Sequence, residues 1–358
     1  MTRRESFSSV KNHEGLWGDR PFFFYFYLVP CLCMLPEAVL KIFGLTDPDM
    51  VIKNEAGLIH KTYFVMNPKG ETRILQRLHS VVHSETCEDA HIITEYARTR
   101  GVPVPEFMLT KEGKPWFLCE GSLWRCMKSM PGHGKKILTP DAAESAAALV
   151  GQFHAVMAES GYICRGAIPH FHDAPYIFKQ CLEVFDKEKG SALFGVVAKE
   201  VEQYCALLPK QFLPDDLPQQ LVHGDLKISN FLFRGSRATA LLDFDTCMTH
   251  TPLVDIGDAL RSWCNSAGED TEYAVFDKKI YTAVMRGYLS TASFSSAECG
   301  LVPQAFRLIA LECGIRFLKD YFEDAYFGWN QKKFASRREH NLARVRGQLN
   351  LYEQIKGL

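Results

Sequence analysis

From Asn54 to Lys128 the apolar positions come in short runs, alternating with polar ones and cut by turn residues. Asn54-Glu-Ala-Gly57-Leu-Ile-His60-Lys-Thr62-Tyr63-Phe-Val-Met66 reads as a glycine-containing turn entering a strand. Arg73 to Leu78 reads as the next strand, and Glu85 to Arg100 as a helix stopped by Gly101-Val-Pro-Val-Pro105. Trp116 to Cys119 and Leu123 to Met127 follow as a hairpin turning at Glu120-Gly121-Ser122. Past Met130-Pro131-Gly132 the period changes. Thr139 is an N-cap, with Pro140 at the first position of an alanine-rich helix reaching Glu159. Helical spacing returns over 175–208, 258–266, 273–289, 303–323 and 340–355, and only a short strand from Ala240 to Asp243 interrupts it. The pattern predicts an α+β fold of two lobes: a small β-rich lobe over 34–129 and a larger, mainly helical lobe over 130–358.

Composition narrows function more than fold. The chain has 358 residues, enough for two lobes with their own cores, and its 47% hydrophobic and 23% charged residues are ordinary for a globular protein. A formal net charge of −1 argues against a broad nucleic-acid surface. The 12 cysteines are scattered without zinc-ligand spacing, which suits reduced thiols in a cytoplasmic protein. Phe22 to Leu35 is strongly apolar, but Pro30 interrupts it and it is short of the roughly 20 residues a spanning helix needs. Residues 1–33 are therefore expected to form an extension outside the catalytic fold, with Met34 as an alternative start, and no stable membrane insertion is expected.

The chemistry concentrates in His223-Gly-Asp225-Leu-Lys227-Ile-Ser-Asn230 and, close behind it, Leu241-Leu-Asp243-Phe-Asp245. Asp225 and Asn230 have the spacing of the aspartate and asparagine in a protein-kinase catalytic loop, and Asp243 stands where the metal-binding aspartate would follow. Phosphoryl transfer asks for one carboxylate to orient and deprotonate an alcohol, and for hard oxygen ligands to Mg2+ on the ATP phosphates. Asp225 is the candidate base; Asn230 and Asp243 are the candidate metal ligands. Strand alternation lets only one of Gln76 and Arg77 point into the cleft, and Arg77 is the candidate for gripping ATP phosphates because its guanidinium can chelate them. Either Glu88 or Asp89 would orient it. The single glycine of the Gly57 turn would need help from His60 or Thr62 in holding phosphates. Asp255 and Asp258 are expected to tie down the catalytic loop, His223 to hold it, and His154 to be a core histidine.

These residues carry a resemblance. HGDLKISN, LLDFD and DIGDALR resemble the aminoglycoside phosphotransferase-like kinases, a small-molecule branch of the protein-kinase fold. Within it the chain is most similar to the N-acetylhexosamine 1-kinases: their Gly-x-Ile-Asn-x-Thr-Tyr loop matches Gly57 to Tyr63, with His60 in place of the asparagine. Their Leu-Gln-Arg strand matches Leu75-Gln76-Arg77. The segments from Gly314 to Tyr321, Asp324 to Phe327, and His340 to Arg346 resemble their C-terminal motifs. The resemblance implies an ATP- and Mg2+-dependent sugar kinase acting on an anomeric hydroxyl, with Arg316 and Tyr326 contacting the sugar. From helical spacing, Arg316 and Asp320 share a polar face and, with Tyr321 and Tyr326, would give a pocket hydroxyl partners and aromatic surface. Two rivals stand beside this reading. One is a kinase for another small alcohol, such as an aminoglycoside or amino alcohol; the other is a non-catalytic nucleotide- or sugar-binding relative.

Overall fold

A computed structural model describes residues 35–54 and 60–358. The proposed extension 1–33, Met34 and Gly57 lie outside the described residues. The N-terminal lobe carries helix α1 (Glu37–Ile42), strands β1 (Met50–Asn54), β2 (Lys61–Met66) and β3 (Thr72–Arg77), helix α2 (Ser84–Arg98), and strands β4 (Phe107–Met108), β5 (Phe117–Cys119) and β6 (Ser122–Lys128). The strands pair antiparallel in the order β1-β2-β3-β6-β4, with β5 on β6. Alternation gives the sheet two unlike faces. One buries Val51, Tyr63, Val65, Leu75, Trp124 and Cys126 against Val39 of α1 and Phe43 just beyond its end. The other presents Thr62, Gln76 and Arg125, which the register aligns across three neighbouring strands.

The second lobe holds α3 (Pro140–Ala158), α4 (Ala174–Glu188), α5 (Ala192–Leu207), α6 (Pro252–Trp263), α7 (Lys278–Leu289), α8 (Ser296–Glu323) and α9 (Arg337–Ile355). Two hairpin-like pairs lie among them: β7 (Gln220–Val222) with β10 (Met248–His250), and β8 (Phe231–Arg234) with β9 (Arg237–Leu241). The His223–Asn230 loop connects β7 to β8, and the Asp243 segment connects β9 to β10.

Capping chemistry explains where helices depart from the periodicity. Thr139 caps α3 as expected, accepting from Ala142 N. The α6 helix starts six residues before the expected Asp258, at Pro252, because Thr251 caps it and Pro252 fills the first position. Asp277 caps α7, which therefore begins at Lys278 and not at Tyr273. A Ser295–Glu298 capping box starts α8 ahead of Pro303, which then lies inside the helix. Gly257 lets α6 approach α8 closely: a Cβ there would stand 2.7 Å from Ala305 O. No helix among the described residues is long and apolar enough to cross a membrane.

Candidate active site

The loop from His223 to Asn230 is held at nearly every backbone donor. Asp255, fully buried in α6, accepts from His223 N and Gly224 N, both at 2.7 Å, and from His154 Nε2 at 2.9 Å. Asp258 accepts from Leu226 N at 2.8 Å. His223 Nδ1 accepts from Asp225 N at 3.3 Å, so its Nε2 carries the proton donated to Leu242 O at 2.9 Å. Gly224 has φ +82°, and a Cβ there would lie 2.4 Å from Thr246 O; only glycine fits. The expected holding roles of Asp255, Asp258 and His223 are the arrangement seen, and His154 is a buried histidine bonded to Asp255 and Tyr288.

The structure brings the proposed base and metal ligands together. Asn230 Nδ2 donates to Asp225 O at 2.8 Å and to Asp225 Oδ2 at 3.1 Å, and Lys227 Nζ contacts the same carboxylate oxygen. Burial works against the Asp225 charge, but Lys227, His223 and Asn230 outweigh it and hold its pKa below the ordinary value. Asp243 has the left-handed φ of +68°, a strained conformation of the kind that gathers at functional sites. Burial and the neighbouring Asp245 push its pKa up. Its carboxylate has no hydrogen-bond partner among the described residues. A half-buried carboxylate without a hydrogen-bond partner among the described residues, beside a second acid, is a group that a hard dication would relieve, so Asp243 and Asn230 fit a Mg2+ site. Lys227 was not among the residues singled out from the sequence, although its place two residues after Asp225 was readable.

Asp245 belongs to a different network. Arg125 of β6 pairs with it through both guanidinium ends, Nη2 to Oδ2 at 3.0 Å, and His60 Nε2 lies 3.0 Å from Oδ2. Arg125 Nε donates to Gln76 Oε1 at 2.8 Å, and Gln76 Nε2 to Thr62 Oγ1 at 3.1 Å. A row of side chains thus crosses the sheet and ends on the second lobe. Burial opposes the Asp245 charge, yet Arg125 and His60 hold its pKa far below the usual range. His60, Asp243 and Asp245 present oxygen and nitrogen atoms within 4.8 Å of one another.

Arg77 is not where the sequence reading put it. It pairs in register with Trp124 on the face covered by α1, and its Nε donates to Ser122 Oγ at 2.9 Å. Alternation was right, but Gln76 takes the cleft side, and Arg125 supplies the buried guanidinium there. Neither suggested acid reaches Arg77. Glu88 accepts from Trp116 and Arg165, and Asp89 from Tyr162 and the backbone of Arg165 and Gly166.

The acceptor segment divides in the same way. Arg316 is partly exposed, with its guanidinium carbon 5.3 Å from the Phe171 ring centre and 5.7 Å from that of Phe327. Nη1 stands 4.0 Å from Glu312 Oε1, and the guanidinium makes no hydrogen bond among the described residues. Asp320, by contrast, is fully engaged. Its oxygens accept from the backbone of Ala325, Tyr326 and Phe327 and from Asn341 Nδ2, which fixes the turn after α8 and seats Phe327. Tyr321 is packed in the core with Phe322. These two are structural residues, a correction of their assignment to the acceptor. Tyr326 is 68% exposed, its ring set edge-on to Phe327 and free to meet a ligand.

A model of the phosphotransferase enzyme family matches residues 51–288. A homoserine kinase of Brucella anthropi is 33% identical over 122 residues, 34% of this chain and 34% of that protein. The chain thus spans about a third of the length of the curated relatives it matches at this level. A homoserine kinase of Polaromonas naphthalenivorans is 25% identical over 276 residues, covering 75% of this chain and 82% of that protein. Among solved structures, the chain is similar to an aminoglycoside phosphotransferase from Alicyclobacillus acidocaldarius (TM-score 0.62, 14% identity, 91% of this chain and 97% of that one). It is also similar to an amicoumacin kinase in complex with AMP-PNP and Ca2+ (TM-score 0.60, 17% identity, 85% and 88%). At these identities the structural likeness establishes the two-lobed, protein-kinase-like fold.

Proposed function

Because the chain belongs to the phosphotransferase enzyme family, we propose that it transfers the γ-phosphoryl group of ATP to a hydroxyl of a small acceptor, with Asp225 as the base. The observation that carries this reading is the Asp225 carboxylate: half-buried, its pKa held down by Lys227 and Asn230, on a loop that is anchored from α6. An ionised carboxylate accepts a hydrogen bond from the incoming hydroxyl, orients it, and takes its proton as the new phosphorus–oxygen bond forms and the bond from the γ-phosphorus to the bridging oxygen breaks, releasing ADP. Lys227, beside that oxygen, is placed to balance charge on the phosphoryl group. Asn230 and Asp243 would hold Mg2+, which supplies charge neutralisation on the ATP phosphates.

The acceptor reading favoured here is an amino alcohol or hydroxy amino acid. Arg316 offers unengaged donors to a carboxylate or carbonyl. Two matched relatives are homoserine kinases, and homoserine carries a carboxylate. A second reading, an N-acetylhexosamine phosphorylated at its anomeric hydroxyl, is favoured by the two aromatic rings around Arg316, which would suit a sugar ring and its N-acetyl carbonyl.

Steady-state Mg2+-dependent ATP turnover with homoserine, aminopropanol, an aminoglycoside and the N-acetylhexosamines decides between them. Highest kcat/KM on an amine-bearing acceptor supports the first reading, and highest kcat/KM on a hexosamine the second. A protein that binds ATP and phosphorylates none of them is a binding relative, and the proposal fails.

A further inference from the structure

The peptide group joining Gly224 to Asp225 is gripped from both sides by imidazole rings. On its N–H side stands His223 Nδ1, within the loop itself. On its carbonyl side stands His172, which comes from the connection between α3 and α4 and is 52 residues away in sequence. His172 Nε2 lies 3.0 Å from Gly224 O, and a carbonyl oxygen only accepts, so this nitrogen carries a proton. The other nitrogen, Nδ1, lies 2.8 Å from Glu312 Oε1 in α8. All of this is buried: His172 is 6% exposed and Glu312 0%.

Two further observations show that the geometry is specified and not incidental. His172 adopts φ +57° and His170 φ +56°, left-handed conformations that cost a residue with a β-carbon free energy, so surrounding contacts must hold them. Asp173, next in the chain, caps α4 by accepting from Tyr176 N at 3.1 Å, which fixes the far side of the segment. Glu312 also lies one helical turn before Arg316, 4.0 Å from its Nη1. One buried carboxylate therefore faces the ring that holds the base's peptide on one side and the acceptor residue on the other.

We propose that His172 is a positioning residue for phosphoryl transfer: through its bond to Gly224 O it sets the plane of the Gly224–Asp225 peptide and so the direction from which Asp225 meets the acceptor hydroxyl. The inference rests on Asp225 being the base. Glu312 orients the ring. Burial opposes a charge on His172, but Glu312 outweighs burial and raises its pKa, so the pair keeps its shared proton. A rotation of this peptide would swing the Asp225 side chain, and proton abstraction depends steeply on such alignment.

Isosteric variants separate positioning from simple support. An asparagine amide reaches the place of Nδ1 and can meet Glu312, whereas a glutamine amide nitrogen reaches that of Nε2 and can donate to Gly224 O. Backbone preference runs the other way, because asparagine tolerates the left-handed conformation better than glutamine. His172→Asn should therefore be the more stable variant and the slower one. Its kcat should fall about ten- to a hundredfold, the scale of a lost charge-assisted hydrogen bond, with KM for ATP unchanged. His172→Gln should melt lower yet keep kcat within about fivefold of the parent, since the donor to Gly224 remains. Glu312→Gln leaves a partner at Nδ1 and a proton at Nε2, and should stay within about threefold.

Rates are read on the folded fraction, with the panel acceptor that the parent uses fastest and with water alone. Opposite orders of kcat and melting temperature in the two His172 variants would support the proposal. Losses that follow melting temperature, or a Glu312→Gln loss as large as that of His172→Asn, would overturn it. Asp225→Asn run in parallel keeps the two readings apart: if it retains turnover, the base assignment has failed, and not merely the role of His172.

Discussion

The catalytic loop and the acceptor segment lie in the same lobe but are built in opposite ways. From His223 to Leu226 each backbone N–H has a named acceptor, three of them carboxylate oxygens of Asp255 and Asp258. Losing any one would leave a buried donor unsatisfied, at about 1–3 kcal/mol each. Around Arg316 the support is sparse: two aromatic rings, an ion contact at 4.0 Å and an exposed Tyr326. On the proposed function, the difference would separate what a phosphoryl-transfer site keeps fixed from what it leaves adjustable. Charge must meet the reacting groups without reorganisation, so the loop is over-determined. On the proposed function, acceptor choice would rest on a few side chains with spare donors and could change without disturbing Asp225.

Mutations should break the two regions differently. Asp225→Asn is expected to bind ATP as the parent does while losing about two to four orders of magnitude in kcat; steady-state kinetics with nucleotide titration checks it, and a loss under about threefold would contradict the assignment. Arg316→Ala should raise the acceptor KM and lower kcat/KM about ten- to a hundredfold, leaving KM for ATP nearly unchanged. Equal damage to both substrates would make Arg316 a structural residue and erase the contrast.

A third comparison lies across the N-terminal sheet. Arg125→Lys keeps the charge but loses the paired geometry on Asp245, and should raise KM for ATP about tenfold. Arg77→Met, on the face away from the cleft, should stay within about threefold. The reverse order would restore Arg77 as the phosphate ligand. The smallest effect concerns stability alone. Asp320 accepts three backbone N–H groups, and although burial opposes its charge, these bonds hold its folded pKa below the unfolded value. Its contribution is therefore present above an unfolded carboxylate pKa of about 4 and is lost as pH falls through the lower folded value. Asp320→Asn should cost about 1–3 kcal/mol at pH 7, with the gap to the parent narrowing in acid; denaturant melts at the two pH values measure it. A gap independent of pH would mean that the carboxylate charge is irrelevant.

Much of this was legible because it is local. Asp225, Asn230 and Asp243 are fixed by spacing within one loop and one strand end, and the long helices announce their period. What escaped depends on partners far along the chain. Alternation separated Gln76 from Arg77, but which one faces the cleft is decided by Arg125 across the register and by Asp245 in the other lobe. Asp320 has helical spacing with Arg316, yet it stands near the end of α8, where unpaired backbone N–H groups of the following turn claim it. The β1 strand and α1 were missed because runs of 5 and 6 residues carry too little periodic signal. His172 gave no signal at all: its role exists only because α8 and the catalytic loop meet around it.

The central claim is that this fixed loop performs phosphoryl transfer to a small alcohol. Phosphorus NMR of the protein with ATP, Mg2+ and the acceptor panel tests it directly. The account predicts that the γ-phosphate resonance is replaced by a phosphate monoester or sugar 1-phosphate resonance with at least one acceptor. ATP bound by the protein with no phosphorylated acceptor formed from any of them would contradict it.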